Sequence, residues 1–408
     1  MASRYAEVAQ AAPIEVFAVV KAFTEDTHEK KVNLSIGAYR TDECKPWVLP
    51  VVRETESAMA ADTTLNHEYL PILGLESFST AAMKMVLGED SAAIKDGRAT
   101  AIQTLSGTGG LRVAADTLFR VLKYNTFYYS DPTWGNHRMI FLHAGFTEAK
   151  QYRYWDGESR GLDLVGMLED LGNAPANSVI LLHACAHNPT GVDPTHDQWK
   201  QIAEVIEAKQ LLPLFDTAYQ GFASGDLDRD AWPVRYFADR GFELMITQSF
   251  AKNFGLYNER VGNLVIIIKD PSLVVAVRSQ VTLLVRGSYS NPPNHGARIV
   301  STVLNNPKLF EDWRECIRIM SSRITAMREG LRERLEKLGT PGVWDHITSQ
   351  IGMFSYSGLS AAQVKYLVDK FHVYLLSSGR INICGLTTKN IDYVAEAIYD
   401  TVCNGPKE

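Results

Sequence analysis

Phe242-Glu243-Leu244-Met245-Ile246-Thr247-Gln248-Ser249-Phe250-Ala251-Lys252-Asn253-Phe254-Gly255 holds the key to this chain. Its apolar run, Phe242 to Ile246, reads as a buried strand, and small and polar residues follow it. A lysine just past such a strand end has a long stem and one reactive nitrogen. Desolvation or neighbouring cations lower the pKa of that amine, and a neutral amine attacks carbonyl carbons. A lone lysine in a loop is more often a solvated surface group, so the weight falls on what surrounds Lys252.

Outward from it, short apolar runs alternate with helical stretches between about residues 100 and 268. Strands are expected at Thr100 to Leu105, Phe127 to Ser130, Met139 to His143, Val179 to His183, Leu211 to Phe215, Leu244 to Thr247 and Val261 to Ile268. Helical periodicity marks Gly110 to Leu122, Leu162 to Leu171 and His196 to Ala208. This α/β alternation predicts a mostly parallel seven-stranded sheet between helices. After Asn306 and Pro307, the residues Leu309, Phe310, Trp313, Ile317, Met320, Ile324, Met327, Leu331 and Leu335 recur at three- and four-residue spacing. They predict a helix of roughly 30 residues, about 45 Å long, which suits a bridge between two domains. Beyond it, strands at Met353 to Tyr356, Val373 to Leu376 and Arg380 to Cys384, with helices at Ser360 to Phe371 and Thr388 to Val402, predict a smaller α/β domain completed by the N-terminal segment.

Composition narrows the function classes. The 41 basic and 47 acidic residues leave a net charge of −6 with no long basic run, so neither nucleic acid nor an anionic membrane is expected as a partner. Cys44, Cys185, Cys316, Cys384 and Cys403 are scattered, odd in number and without metal-ligand spacing. Reduced thiols, a reducing compartment and no metal site follow. Met1 to Ala12 lacks the apolar core of a secretory signal and the repeated arginines of a transit peptide, and no apolar stretch reaches about 18 residues; the cytoplasm is the expected location.

Ligands of open α/β sheets bind outside the carboxyl ends of the strands, and several polar clusters fall there. Ser106-Gly107-Thr108-Gly109-Gly110 links a strand to a helix, where free N–H groups favour a phosphate; an unliganded turn reads equally well. Asp216 follows Leu211 to Phe215, with Tyr219 three residues on; a helix cap or structural ion pair is the plainer use of such a carboxylate. Asn188, in Asn188-Pro189-Thr190-Gly191, marks a turn whose amide could reach a ligand. Arg260 could complete a phosphate site with Ser249, or form a surface salt bridge. Trp134 could stack on a flat ring, or simply pack in the core. A lysine for an imine, an aspartate for a pyridine nitrogen, phosphate-binding turns and an aromatic lid together describe a pyridoxal phosphate site.

In this arrangement the chain resembles the fold-type I, class I aminotransferases, and within them the aspartate aminotransferases of the eukaryotic cytosolic type. The resemblance is carried, in order, by Val32 to Asp42, Ser106 to Gly110, His187 to Asp193, Asp216 to Phe222, Ser249 to Gly255 with Arg260, Val285 to Pro293 and Arg380 to Cys384. It spans nearly the whole chain; Ile36 departs from it where valine is more usual.

The resemblance implies that Lys252 carries pyridoxal 5'-phosphate as an imine and then moves the proton at the substrate α-carbon. It further implies that Asp216 protonates the pyridine nitrogen, that Tyr219 and Asn188 bond the ring oxygen, and that Ser106, Gly107, Thr108, Ser249 and Arg260 hold the phosphate under a Trp134 lid. Tyr69 matches a tyrosine reaching the neighbouring subunit's phosphate, and His137 and His183 match histidines behind the ring, although a buried structural histidine fits those two equally. Arg380 matches the α-carboxylate arginine; Arg286, donated across a homodimer interface, matches the one for the side-chain carboxylate, with Ser290 and Asn291 shaping the same wall and Gly37 on a closing wall. The implied reaction is reversible ping-pong transfer of the amino group from L-aspartate to 2-oxoglutarate, giving oxaloacetate and L-glutamate, with dicarboxylic amino and keto acids as ligands. The implied organisation is an N-terminal arm over 1–14, a small domain of 15–46 with 320–408, and a large cofactor-binding domain over 47–319. An aromatic or kynurenine-type aminotransferase, or a catalytically silent scaffold, is the alternative.

Overall fold

Val179–His183, Leu244–Ser249 and Val261–Ile267 bury every residue they contain, because helices cover both faces of the sheet they build. The computed structural model describes residues 3–406; Met1 and Ala2 of the expected arm and the Lys407–Glu408 tail lie outside the described residues. Across the sheet the seven strands run Ala99–Leu105, Val261–Ile267, Leu244–Ser249, Leu212–Thr217, Val179–His183, Thr126–Asp131 and Glu148–Arg153. Neighbours are parallel except at Val261–Ile267, which is antiparallel to both strands beside it.

One expected strand is a helix. Met139 to His143 lies in the helix Asn136–Ala144, and the seventh strand is Glu148–Arg153 instead. His137, Ile140, Phe141 and Ala144 are the buried positions, a three- and four-residue spacing that a five-residue apolar run does not reveal. The helix His196–Ala208 starts where a capping box places it, with Thr195 and Gln198 bonding each other's main chain.

The long helix is Pro307–Lys337, 31 residues, capped by the Asn306 side chain on the N–H groups of Lys308 and Leu309. Trp313 fixes it to the sheet, stacking on Phe254 with ring centroids 4.4 Å apart and donating from Nε1 to the Asn253 carbonyl at 2.8 Å. Both neighbours of that bond lie just after Lys252, so the helix anchors the lysine loop directly.

Beyond the helix, Phe354–Tyr356 pairs antiparallel with Arg380–Asn382, and Val373–Tyr374 pairs parallel with Val32–Asn33. Asn382 ties the N-terminal segment down further, donating from its main chain to Leu34 and from its amide to Ile36 and Ala38.

Gly262 is a point where the sheet tolerates no side chain. A Cβ there would lie 2.4 to 2.6 Å from the main chain of Ser106. Gly262→Ala is therefore expected to displace the turn after Leu105 and to lower stability by about 2 kcal/mol, the usual scale of core overpacking. A urea midpoint unchanged from wild type, at matched protein concentration, would refute this.

Candidate active site

Strand register sets the site. His183 lies opposite Asp216, Asp216 opposite Thr247, Ser249 opposite Gly262, and Val261 opposite Leu105. The carboxyl ends of the parallel strands and the amino end of the antiparallel one therefore share an edge. Ser106, His183, Asp216, Ser249 and Arg260 meet there.

Ser106 and Arg260 form the base of a cup. Both adopt left-handed backbone, φ +60° and +54°, and the Ser106 N–H donates to the Arg260 carbonyl at 3.0 Å. Each such conformation costs about 1–3 kcal/mol, so surrounding contacts must hold it. The Ser106 and Ser249 hydroxyls lie 3.0 Å apart, and Arg260 donates to the Tyr257 carbonyl at 2.8 Å. The helix Ser106–Asp116 begins at the cup, and the N–H groups of Gly107 and Thr108 in its first turn are left free for a ligand there. A Cβ on Gly107 would sit 3.3 Å from the Ser249 Cβ and 4.0 Å from Asp216 Oδ1, so glycine keeps the space between cup and carboxylate open.

Asp216 is buried, and His137 Nε2 donates to its Oδ2 at 2.9 Å while Thr133 holds His137 Nδ1 at 2.8 Å. Burial would raise the carboxyl's pKa, but the His137 bond and the fields of His137 and Lys252 outweigh it and hold it below the ordinary value. His183 is pushed down to about 3 by burial, then by His137 and against Asp216, so it stays neutral. Neither His183 nitrogen has a hydrogen-bond partner. Ligand-capable atoms of His137, His183 and Asp216 lie within 4.8 Å of one another, a grouping that scattered sequence positions do not betray.

Lys252 stands over this well. Its amine has no hydrogen-bond or ion-pair partner among the described residues and lies 5.2 Å from the Tyr219 ring centroid. Burial lowers its pKa, helped by Arg260 and Arg380 and opposed by Asp216. Phe250 and Phe254 are buried on either side of it, and Asn253 bonds the Gln220 carbonyl as well as Trp313. Tyr219 is buried, which raises its hydroxyl's pKa against the pull of Arg380.

Arg380 is buried at the far wall. It donates from Nη2 to the Ser35 carbonyl at 2.6 Å and from Nη1 to Asn188 Oδ1 at 3.3 Å, and its Nε has no partner. Its guanidinium lies 4.1 Å from the Phe354 ring centroid. A Cβ on Gly37 would come within 2.9 Å of the same ring. Trp134 meets His137 edge-on at 5.2 Å. Tyr69, 84% exposed, and Arg286, bonded to the Ser290 hydroxyl on its own chain, are not drawn into this cluster.

Three contributors escaped sequence reasoning: Ser35, Thr133 and Phe354. Ser35 acts through its carbonyl, which carries no side-chain signal; Thr133 acts indirectly, through His137, on a carboxylate remote in sequence, and Phe354 acts through its ring on Arg380. Thr133 precedes Trp134 in the chain, the one available hint.

The donor set suits a phosphorylated pyridine aldehyde. The open cup at Gly107, with two hydroxyls and Arg260, matches a phosphate; the ionised Asp216 matches a pyridinium; the unpartnered amine matches a carbonyl carbon.

Residues 29–398 match the family Aminotransferase class I and II. The chain is 55% identical over 406 residues, 98% of either protein, to the cytoplasmic aspartate aminotransferase of Gallus gallus. Its fold superposes on an aromatic-amino-acid aminotransferase of Burkholderia pseudomallei, covalently bound to pyridoxal phosphate, with a TM-score of 0.96 at 41% identity, covering 98% of this chain and 100% of that one. It superposes on the aspartate aminotransferase of Saccharomyces cerevisiae cytoplasm with a TM-score of 0.94 at 44% identity, covering 98% of each. With a family match across most of its length, this chain belongs to the class I and II aminotransferases.

Proposed function

We propose that this protein is a pyridoxal phosphate-dependent aspartate aminotransferase, exchanging the amino group between L-aspartate and 2-oxoglutarate. The observation that carries the reading is the buried, unpartnered Lys252 amine, whose pKa is lowered by burial under the opposing influences of Asp216 and of Arg260 and Arg380. When bound, the cofactor supplies an electron sink for the pair released at the substrate α-carbon.

The chain's own residues do the rest. Ser106, Gly107, Thr108, Ser249 and Arg260 hold the phosphate, and Asp216 keeps the ring nitrogen protonated. Tyr219 and Asn188 bond the ring oxygen beneath Trp134. Lys252, low in pKa and held above the well, takes the proton from the α-carbon and returns it on the other side of the reaction, general acid–base work by a positioned group. Arg380 forks the α-carboxylate, with Gly37 leaving room at its wall.

Arg286 and Tyr69 support a homodimer. Both are exposed in a single chain, so we assign them to the partner subunit's site, Arg286 for the side-chain carboxylate and Tyr69 for the phosphate. Tyr5, Val8 and Ile14 are also exposed, which suits an arm laid on that partner. The proposed division is the arm over 1–14, a small domain of 15–46 with 320–408, and a large domain over 47–319. We assign the protein to the cytoplasm, as the names of its relatives state for theirs.

Excess L-aspartate, without a keto acid, is expected to remove the visible band of the reconstituted holoenzyme and release stoichiometric oxaloacetate. A spectrum that responds to L-phenylalanine and not to aspartate would replace the substrate with an aromatic one. No response to any amino acid would leave a silent scaffold.

In cofactor-free protein, Lys252 is expected to react with an uncharged acylating reagent along a pH profile whose midpoint lies below the ordinary 10.5. Asp216→Asn removes the charge that raises it and shifts the midpoint down; Arg380→Leu shifts it up. Unmoved midpoints in both variants would contradict the electrostatic account.

Hybrid dimers of Lys252→Ala with Arg286→Ala should regain one working site per dimer, while each parent is reduced by about 10²-fold or more. Hybrids no more active than the parents would show that the site is not shared.

A further inference from the structure

Arg328 is a buried charge with no acid to meet it. It lies inside the helix Pro307–Lys337, 4% exposed, and no carboxylate pairs with it among the described residues. Its guanidinium instead grips three main-chain carbonyls: Nη1 donates to Ile347 at 2.8 Å, and Nη2 to Gly352 at 2.8 Å and Phe354 at 2.5 Å. Burial lowers its pKa to about 10, which leaves it charged at neutral pH. An uncompensated buried cation is unfavourable on its own, so the carbonyl contacts must be tightly ordered for it to persist.

All three carbonyls belong to the segment leading into the strand Phe354–Tyr356. That segment is wedged against the Asn188 loop. The Ile351 N–H donates to the Gly191 carbonyl at 2.7 Å, and a Cβ on Gly191 would lie 2.7 Å from the Phe354 carbonyl oxygen. A Cβ on Gly352 would lie 2.4 Å from that of Ala186. The Phe354 carbonyl is thus trapped between Arg328 and Gly191.

Its ring reaches the other way. The Arg380 guanidinium lies against the face at 4.1 Å from the centroid, and Tyr219 meets the ring edge-on at 6.3 Å. Hydrogen bonds to Asn188 and Ser35 fix the two ends of the Arg380 fork, and the ring fixes its plane. We propose that Arg328 is a positioning residue for Arg380, acting through Phe354: its clamp on the Phe354 carbonyl sets the ring on which the α-carboxylate arginine rests. The inference rests on the role given to Arg380 above.

Because every amino acid carries an α-carboxylate, disturbing this platform weakens all substrates alike, whereas a defect at Arg286 penalises dicarboxylates only. The test uses holoenzyme variants Phe354→Leu, Phe354→Tyr, Arg328→Met and Arg328→Lys. The readouts are succinate dissociation by spectral titration, KM and kcat for aspartate and alanine, cofactor retention and Tm.

Phe354→Leu is expected to raise the succinate Kd and both KM values about ten-fold, the scale of a lost desolvated cation–π contact. Its kcat should fall less than about three-fold, with the aspartate-to-alanine ratio of kcat/KM and cofactor retention preserved. Phe354→Tyr should restore wild-type values. Arg328→Met should reproduce the Phe354→Leu signature, and Arg328→Lys a weaker form of it. If Arg328→Met does not fold, raised KM values in Arg328→Lys support the proposal and wild-type values overturn it. A Phe354→Leu enzyme with unchanged Kd and KM overturns it, as does an Arg328 variant that loses kcat or cofactor with KM unmoved. Wild-type protein inert to every amino acid would instead overturn the aminotransferase reading beneath it.

Discussion

The Asp216 carboxylate must be buried and ionised at once, and the site is arranged around that demand. Taking a carboxylate out of water favours its protonated form. His137 answers with a 2.9 Å hydrogen bond, and the Lys252 amine nearby adds to the compensation. Removing one partner of such a group typically costs about 3–5 kcal/mol, because the remaining charge is stranded. The helix Asn136–Ala144 is consequently more than a cover for the sheet: it delivers His137, and Thr133 before it fixes the ring from behind.

Sheet topology explains how one edge can supply so many groups. A parallel strand presents the residues at its carboxyl end, which gives His183, Asp216 and Ser249. The single antiparallel strand, Val261–Ile267, presents its amino end at the same edge, so Arg260 enters from the opposite chain direction. Its Gly262 lets the Ser106 turn approach more closely than any side chain would allow. Two strained residues, Ser106 and Arg260, then bond each other and close the cup. The strain lies where the ligand is expected, the usual place for it.

What was legible in the sequence follows the range of the forces involved. Val179–His183 and His196–Ala208 could be bounded correctly because an all-apolar run and a capping box are local. The long helix was legible because nine apolar positions repeat over 31 residues. Met139 to His143 was misread because five residues do not separate a strand from one face of a short helix. Glu148–Arg153 was passed over because it is an edge strand with only Tyr152 fully buried. Motif order offers candidates for the site, yet it offers no signal for Ser35 or Phe354. Their contributions, a carbonyl and a ring face, exist only once separate segments have met, Ser35 lying 345 residues from Arg380 and Phe354 on the neighbouring strand.

The two arginines that we assign to the substrate carboxylates meet very different demands. Arg380 is buried and held on three sides by Asn188, Ser35 and Phe354. Arg286 is exposed and engaged by Ser290, a residue of its own chain in left-handed backbone at φ +68°. A preorganised group spends little of its binding energy on ordering, whereas a mobile one must be ordered by the ligand that it grips. On our reading, recognition of the α-carboxylate is therefore built into the folded chain, while recognition of the second carboxylate is completed only when a partner and a matching side chain are present. That asymmetry lets the invariant part of every amino acid be held rigidly and leaves discrimination to the group that can be repositioned.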